Sequence, residues 1–363
     1  MAERTSPARF AALDGLRGVA AMVVVVGHTL APFDPVLGRL LVSIPFRPVH
    51  WLYDGRLAVY VFWVLSGFVI AQSATRMRRP LAALLLLRWA RLGIPMAAAV
   101  IFAAALGLSF RDAVIGIRVH EVYSPFYDPM NFAWRSILRQ AAGSAFLGRG
   151  FPPLDPALWT MHVELIGSCA VYIFYRFSRS SIRVYVLPAI TILFLVLGKP
   201  GFAAIAAGAF MRELWTLDRV RVRWPVGVLL FGLSLTLFIP PVYSIWADTV
   251  YWATASAILF AVLASARLQS SLLARPCQFL GRVSFPLYLV HSPVTMTVGA
   301  LIDGALGETP IAGAITFPLV VLLSLVLAYL GTVAVDEPLL RTLHRFPKRD
   351  APAWFVGLWR NPG

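Results

Sequence analysis

The chain is divided by long apolar stretches that hold almost no charge, and this pattern restricts its fold more than any other feature. A helix that crosses a bilayer needs about 20 mostly apolar residues. Ten segments are candidates: 14–32, 57–74, 81–107, 157–176, 182–198, 200–215, 225–240, 248–266, 283–302 and 311–335. The sixth and seventh are short, as tilted, broken or partly re-entrant helices would be. Only 13% of the 363 residues are charged, whereas a soluble domain carries about 25%. The missing charge is surface that need not face water. The expected fold is an all-α polytopic membrane protein, a bundle of about ten transmembrane helices.

Basic residues set the orientation. Arg76, Arg78 and Arg79 fall in one linker, and Arg176, Arg179 and Arg183 in another. Arg212, Arg219, Arg221 and Arg223 follow, then Arg267, Arg275 and Arg282. The linkers between these are sparse in charge, and 303–310 holds Asp303 and Glu308 with no basic residue. Arg4 and Arg9 precede the first span, and Arg341, Arg345, Lys348 and Arg349 follow the last. All these clusters share one face if both termini are cytoplasmic. The long 108–156 linker carries Arg111, Arg118, Arg135, Arg139 and Arg149 yet belongs outside. Long loops translocate largely regardless of charge. The division expected is a transmembrane domain over 1–340 and a cytoplasmic tail over 341–363, with no fused soluble catalytic domain.

The formal charge of +15 raises the question of nucleic acid. Positive-inside loops account for it, and no aromatic-basic module or zinc-finger spacing is present, so no nucleic-acid partner is expected. Cys169 and Cys277 lack metal-ligand spacing and read as small apolar fillers. No metal is expected.

An ionisable side chain inside a span is costly and marks a functional site by default. Arg17 and His28 are eleven residues apart in the first span. That is close to three helical turns, so both project from one face, separated by roughly 16 Å of depth. Asp14 stands three residues before Arg17 and can pair with it. Arg88 and Arg91 lie near the cytoplasmic end of the third span, and a guanidinium fork suits phosphate. The plainer reading is ordinary positive-inside charge. The fourth span opens with Trp159, His162 and Glu164. Glu164 is expected at the depth of His28, as its partner. Ser284, Tyr288 and His291 follow i, i+4, i+7 spacing in the ninth span and share a face. Interhelical polar packing explains that stripe as well as a cavity does. Ser66 and Gly67 suit close helix approach.

In order along the chain, these strings resemble the acyltransferase-3 family of membrane acyltransferases. Asp14-Gly15-Leu16-Arg17-Gly18 with His28 resembles its opening Arg–His pair. Phe62 to Phe68 is similar to its Phe-Phe-Val-Leu-Ser-Gly-Phe string, and Arg88-Trp89-Ala90-Arg91 to its basic third helix. Trp159 to Glu164 resembles Trp-Ser-Leu-Ser-Val-Glu. Ser284 through His291 resembles Ser-Tyr-Ser-Leu-Tyr-Leu-Trp-His, and Asp336-Glu337-Pro338 the closing element. The chain departs from common family residues at Tyr60, His162 and Leu165. Those departures bear on the identity of the acceptor more than on the reaction type.

The resemblance implies acyl-CoA, acetyl-CoA foremost, as donor and a carbohydrate, lipid or small-molecule acceptor. It implies the inner membrane of a bacterium as the setting. On this reading the catalytic residues are His28, as base or transiently acylated nucleophile, Glu164, which orients it, and Arg17. Arg88, Arg91 and Arg17 meet the donor phosphates. Tyr288, Ser66, His162, His291 and Trp159 are candidates for acceptor binding or oxyanion stabilisation. The 108–156 loop, with Tyr123, Phe126, Tyr127 and Trp134, is a further acceptor candidate. Two other readings stay open: a transporter or exporter of an anionic small molecule, and an acyl relay to a separate periplasmic transferase. The oligomeric state is open too.

Overall fold

The computed structural model describes residues 7–33, 49–75, 79–115, 126, 128–148, 153–217, 224–236, 245–307 and 309–345. Among these residues the regular secondary structure is helical throughout. Arg76, Arg78, Arg118, Tyr123, Tyr127, Arg149, Arg219, Arg221, Arg223, Glu308 and 346–363 lie outside the described residues.

Seven helical segments are long and apolar enough to cross a membrane: Phe10–Leu30, Gly55–Ala74, Leu81–Phe110, Pro156–Phe177, Trp246–Ala264, Arg275–Leu306 and Ile311–Arg345. Each contains or overlaps one of the expected spans. The other three expected spans fall on shorter helices, Ser180–Val196, Pro200–Thr216 and Pro225–Leu235. At about 1.5 Å per residue, 17 residues give roughly 26 Å, a little short of a 30 Å hydrocarbon core. Eleven residues in Pro225–Leu235 give far less.

In chain order the helices that frame the site are α1 (Pro7–Phe33), α2 (Gly55–Ala74) and α3 (Leu81–Ile115). They continue with α4 (Met161–Phe177), α5 (Pro200–Thr216), α6 (Ile245–Ala264) and α7 (Arg275–Val294). The last is α8 (Pro310–Gly331). The most extensive packing is α1 on α7 and α2 on α5. Both contacts depend on paired glycines. A Cβ on Gly67 would run into the Ile205 carbonyl, and one on Gly208 into the Val64 carbonyl. On the other contact, a Cβ on Gly18 would meet the Gly281 amide, and one on Gly281 the Asp14 carbonyl. Lipid supplies no hydrophobic drive between helices, so close backbone approach and van der Waals packing take its place.

Two helices change pitch next to functional residues. A π-helical turn at Thr295–Gly299 extends α7 beyond His291. Another at Thr332–Asp336 follows α8 and ends on Asp336. A 3-10 turn, Pro156–Thr160, leads into α4 and is capped by the Asp155 carboxylate, which accepts from the Ala157 amide at 3.2 Å.

Candidate active site

The first span presents its polar residues to α7. Arg17 Nε donates to Ser284 Oγ at 2.9 Å, and Arg17 Nη2 donates to the Gly281 carbonyl at 3.3 Å. Arg17 also pairs with Asp14 at 3.0 Å, one turn back on the same helix. His28, three turns on, meets His291 of α7. Their rings are parallel within 2°, and His28 Nδ1 lies 2.9 Å from His291 Nε2.

With both rings neutral, the neighbouring carbonyls decide where their protons sit. His291 Nδ1 lies 2.8 Å from the Tyr288 carbonyl and 3.2 Å from that of Leu287. A carbonyl only accepts, so Nδ1 carries the hydrogen and Nε2 carries a lone pair. That lone pair accepts from His28 Nδ1–H. His28 Nε2 is then left unprotonated, the form required of a base or nucleophile. It faces the start of α2, where a Cβ on Gly55 would stand 3.7 Å from it. His291 is fully buried, whereas His28 is exposed.

Glu164 does not reach this pair. Its carboxylate takes Arg88 Nη2 of α3 and the Ser66 hydroxyl of α2, the latter at 2.5 Å. Arg88 Nε donates to Ser168 at 2.9 Å. The expected Glu164–His28 contact is therefore replaced by Glu164–Arg88 and His28–His291. Helix geometry supplies the reason. The Thr160 and Tyr288 hydroxyls are 2.8 Å apart, which puts them at one depth. Helices α4 and α7 run in opposite directions from that point. Glu164 lies four residues down one and His291 three residues up the other, a separation of about 10 Å in depth.

Arg91 donates to Asp336 through Nη1 and Nη2, the latter at 3.2 Å. It also lies over the Phe285 ring, 5.1 Å from its centroid. Each of the three arginines thus has a carboxylate: Asp14, Glu164 or Asp336. The Ser66 hydroxyl is used by Glu164 and Arg88. The Tyr288 hydroxyl donates to the Ala157 carbonyl at 2.8 Å, tying α7 to the 3-10 turn. Trp159 stacks edge-on against Trp63, with centroids 5.8 Å apart. His162 points away, with Nδ1 2.8 Å from the Phe146 carbonyl and its ring against Phe202. It anchors the loop between α3 and α4.

A cavity of about 300 Å³ connects these groups. Asp14, Arg17, Arg88, Arg91 and Glu164 line it together with Ser66, Ser284, Phe62, Trp63, Thr160 and Tyr288. Along α2 it runs from Val59 to Ile70, a length of roughly 16 Å. The Tyr288 ring ends it, and the His291 ring lies 5.8 Å behind Tyr288 between centroids. The site is therefore a largely apolar channel studded with charged side chains, which stops at Tyr288; His291 lies behind that ring and His28 beyond His291. The sequence motifs point to His28 and place His291 among the accessory residues; the packing of α1 on α7 joins them.

The comparisons with known proteins agree with this chemistry. The pattern of the family described as "Acyltransferase domain" (Acyl_transf_3) matches residues 10–335. The O-acetyltransferase PaAT-1 of Phomopsis amygdali is 26% identical over 367 aligned positions, covering 79% of this chain and 72% of the relative. No solved structure matches the chain. With nearly its whole length inside one family pattern, the protein belongs to the acyltransferase-3 family.

Proposed function

We propose that the protein moves an acyl group, acetyl foremost, from cytoplasmic acyl-CoA onto a hydroxyl of a carbohydrate, lipid or small-molecule acceptor that arrives from the opposite side of the membrane. The observation that carries the reading is the 2.9 Å contact of His28 Nδ1 with His291 Nε2, beyond the Tyr288 end of the Arg17–Glu164 cavity, which favours the tautomer with a free Nε2 on His28. The proposed topology has both termini cytoplasmic, in an inner membrane, so the arginine-lined end of the cavity opens toward the donor.

The donor's flexible arm fits a channel of this length, while its nucleotide stays at the mouth. Arg17 is 43% exposed there and its partner Asp14 53%, so donor phosphates can replace Asp14 at Arg17 at little cost. Arg91 stays paired with Asp336, which is only 6% exposed, and adds its positive charge to the mouth. Arg88 is held by Ser168, Ser66 and Glu164, and its part is to fix the channel wall.

In direct transfer, His28 Nε2 takes the acceptor's hydroxyl proton as the oxygen attacks the thioester carbonyl. The C–S bond breaks, and the thiolate takes the proton back from His28. His291 Nε2 receives the His28 Nδ1–H bond throughout and strengthens it once His28 becomes cationic. In two-step transfer, Nε2 attacks the carbonyl itself and expels the thiolate; the acyl-imidazolium then passes the acyl group to the acceptor oxygen, whose proton goes to the thiolate as Nε2 is regenerated.

The test is thioester consumption by purified protein in lipid nanodiscs, supplied with acetyl-CoA and hydroxylated acceptors. Wild type should release free CoA. His28→Ala should insert normally and lose about 10²- to 10⁴-fold in rate. Undiminished transfer by that variant would refute the assignment of the base.

A further inference from the structure

The segment between α3 and α4 carries an outward face that the chemistry above does not use. This segment turns back along α3. The Phe132 ring fills the space where a Cβ on Gly107 would stand, and the Phe146 ring borders Gly93. Those glycines are fourteen residues apart on α3, so the chain between the two rings descends roughly 21 Å. Gly107 lies near one end of the Leu81–Phe110 span and Gly93 near its middle. The 3-10 turn Pro129–Phe132 and the short helix Trp134–Ala141 therefore reach into the span from the end opposite Arg88.

That short helix has two unlike faces. Gln140 turns inward and is buried, its side-chain oxygen accepting from the Leu154 amide at 3.2 Å. Ile137 and Ala141 pack on the core beside it. Trp134 and Leu138, one turn apart, point outward and are 65% and 58% exposed. Arg135 and Arg139, also one turn apart, are exposed next to them. The Arg135 guanidinium lies 5.2 Å from the centroid of the Trp134 ring. Among the described residues no carboxylate pairs with either arginine.

Charge complementarity decides what covers this face. At the depth of a span its apolar side chains meet hydrocarbon, where an unpaired arginine is costly. An anion removes that cost. Side chains four apart on a helix are neighbours, so both guanidinium forks reach one phosphate. A zwitterionic headgroup brings a cation of its own to the arginines, whereas a headgroup with net negative charge does not. We infer that this face seats an anionic phospholipid of the leaflet opposite the arginine-lined mouth, its phosphate between Arg135 and Arg139 and its chains along Trp134 and Leu138.

The experiment uses the full chain in phosphatidylcholine nanodiscs. A small share of the lipid is replaced by phosphatidylglycerol, or by phosphatidylcholine, with brominated chains that quench tryptophan on contact. The chain has 11 tryptophans, so the Trp134 signal is the difference between wild type and Trp134→Phe. Brominated phosphatidylglycerol should reach half-maximal quenching of Trp134 at a mole fraction about tenfold below that of brominated phosphatidylcholine. In the double variant Arg135→Gln, Arg139→Gln that preference should vanish while quenching by phosphatidylcholine persists. If the double variant fails to fold, each single variant should lose part of the preference. Equal quenching by the two lipids in wild type, or a preference unchanged by removal of the arginines, would overturn the inference. Quenching by neither lipid would overturn it as well, since the face would then meet water or a second copy of the chain.

Discussion

Removing the acceptor atom behind His28 gives the sharpest quantitative consequence of the structure. In His291→Leu, His28 Nδ1–H loses its partner at 2.9 Å. Two effects follow. The tautomer with a free Nε2 loses a neutral hydrogen bond worth about 0.5–1.5 kcal/mol. The cationic ring formed during the reaction loses a charge-assisted bond worth about 1.5–3 kcal/mol. The second governs the rate, because that charge exists only on the way to product. At about 1.4 kcal/mol per factor of ten, kcat should fall roughly 10- to 150-fold. His291→Gln can place an amide oxygen near the lost Nε2 and should recover most of that loss. The assay is single-turnover release of CoA in nanodiscs, with thermal unfolding measured in parallel, since His291 is fully buried. Wild-type kcat in His291→Leu, or a Gln variant no better than the Leu variant at equal stability, would refute the tautomer argument.

Arg88 and Glu164 are 15% and 14% exposed, so breaking the pair should be severe. Arg88→Gln or Glu164→Gln alone should each cost about 3–5 kcal/mol, and the double variant less than their sum, as read from denaturation midpoints in a double-mutant cycle. Tyr288→Phe should lower stability by about 1 kcal/mol and leave transfer within tenfold, because its hydroxyl is already used by the Ala157 carbonyl; a loss of about 10²-fold or more would instead assign it an oxyanion role. Burial pushes the Asp155 carboxyl well above the usual carboxylate range. The folded protein then holds a proton that the unfolded chain has released, so stability should decline as pH rises from about 4 toward the raised folded value. Asp155→Asn keeps the cap and should flatten that decline in melting curves taken across pH.

The helices were readable because apolar length alone signals a span, as in 57–74 against Gly55–Ala74. The three short helices blur the count, since 11 to 17 residues fall below what length can decide. Local pairing was readable too: Asp14 and Arg17 are one turn apart on one helix. The long-range pairs were not. His28 and His291 are 263 residues apart, and Arg91 and Asp336 are 245 apart. Periodicity gives the face a residue occupies but not which helix meets that face. The Gly18–Gly281 approach of α1 to α7 settles it, and it depends on how the whole bundle closes. Glu164 is not level with His28, because the depth of α4 relative to α7 is fixed by the Thr160–Tyr288 contact, which no single span reveals.

The central claim is that one imidazole serves two compartments. Sealed proteoliposomes carrying the oriented protein can hold radiolabelled acetyl-CoA on the arginine-lined side only, with a hydroxylated acceptor on the other side only. The account predicts labelled acceptor with wild type and none with His28→Ala. Label that appears only when donor and acceptor share a side, or that persists without His28, would contradict it.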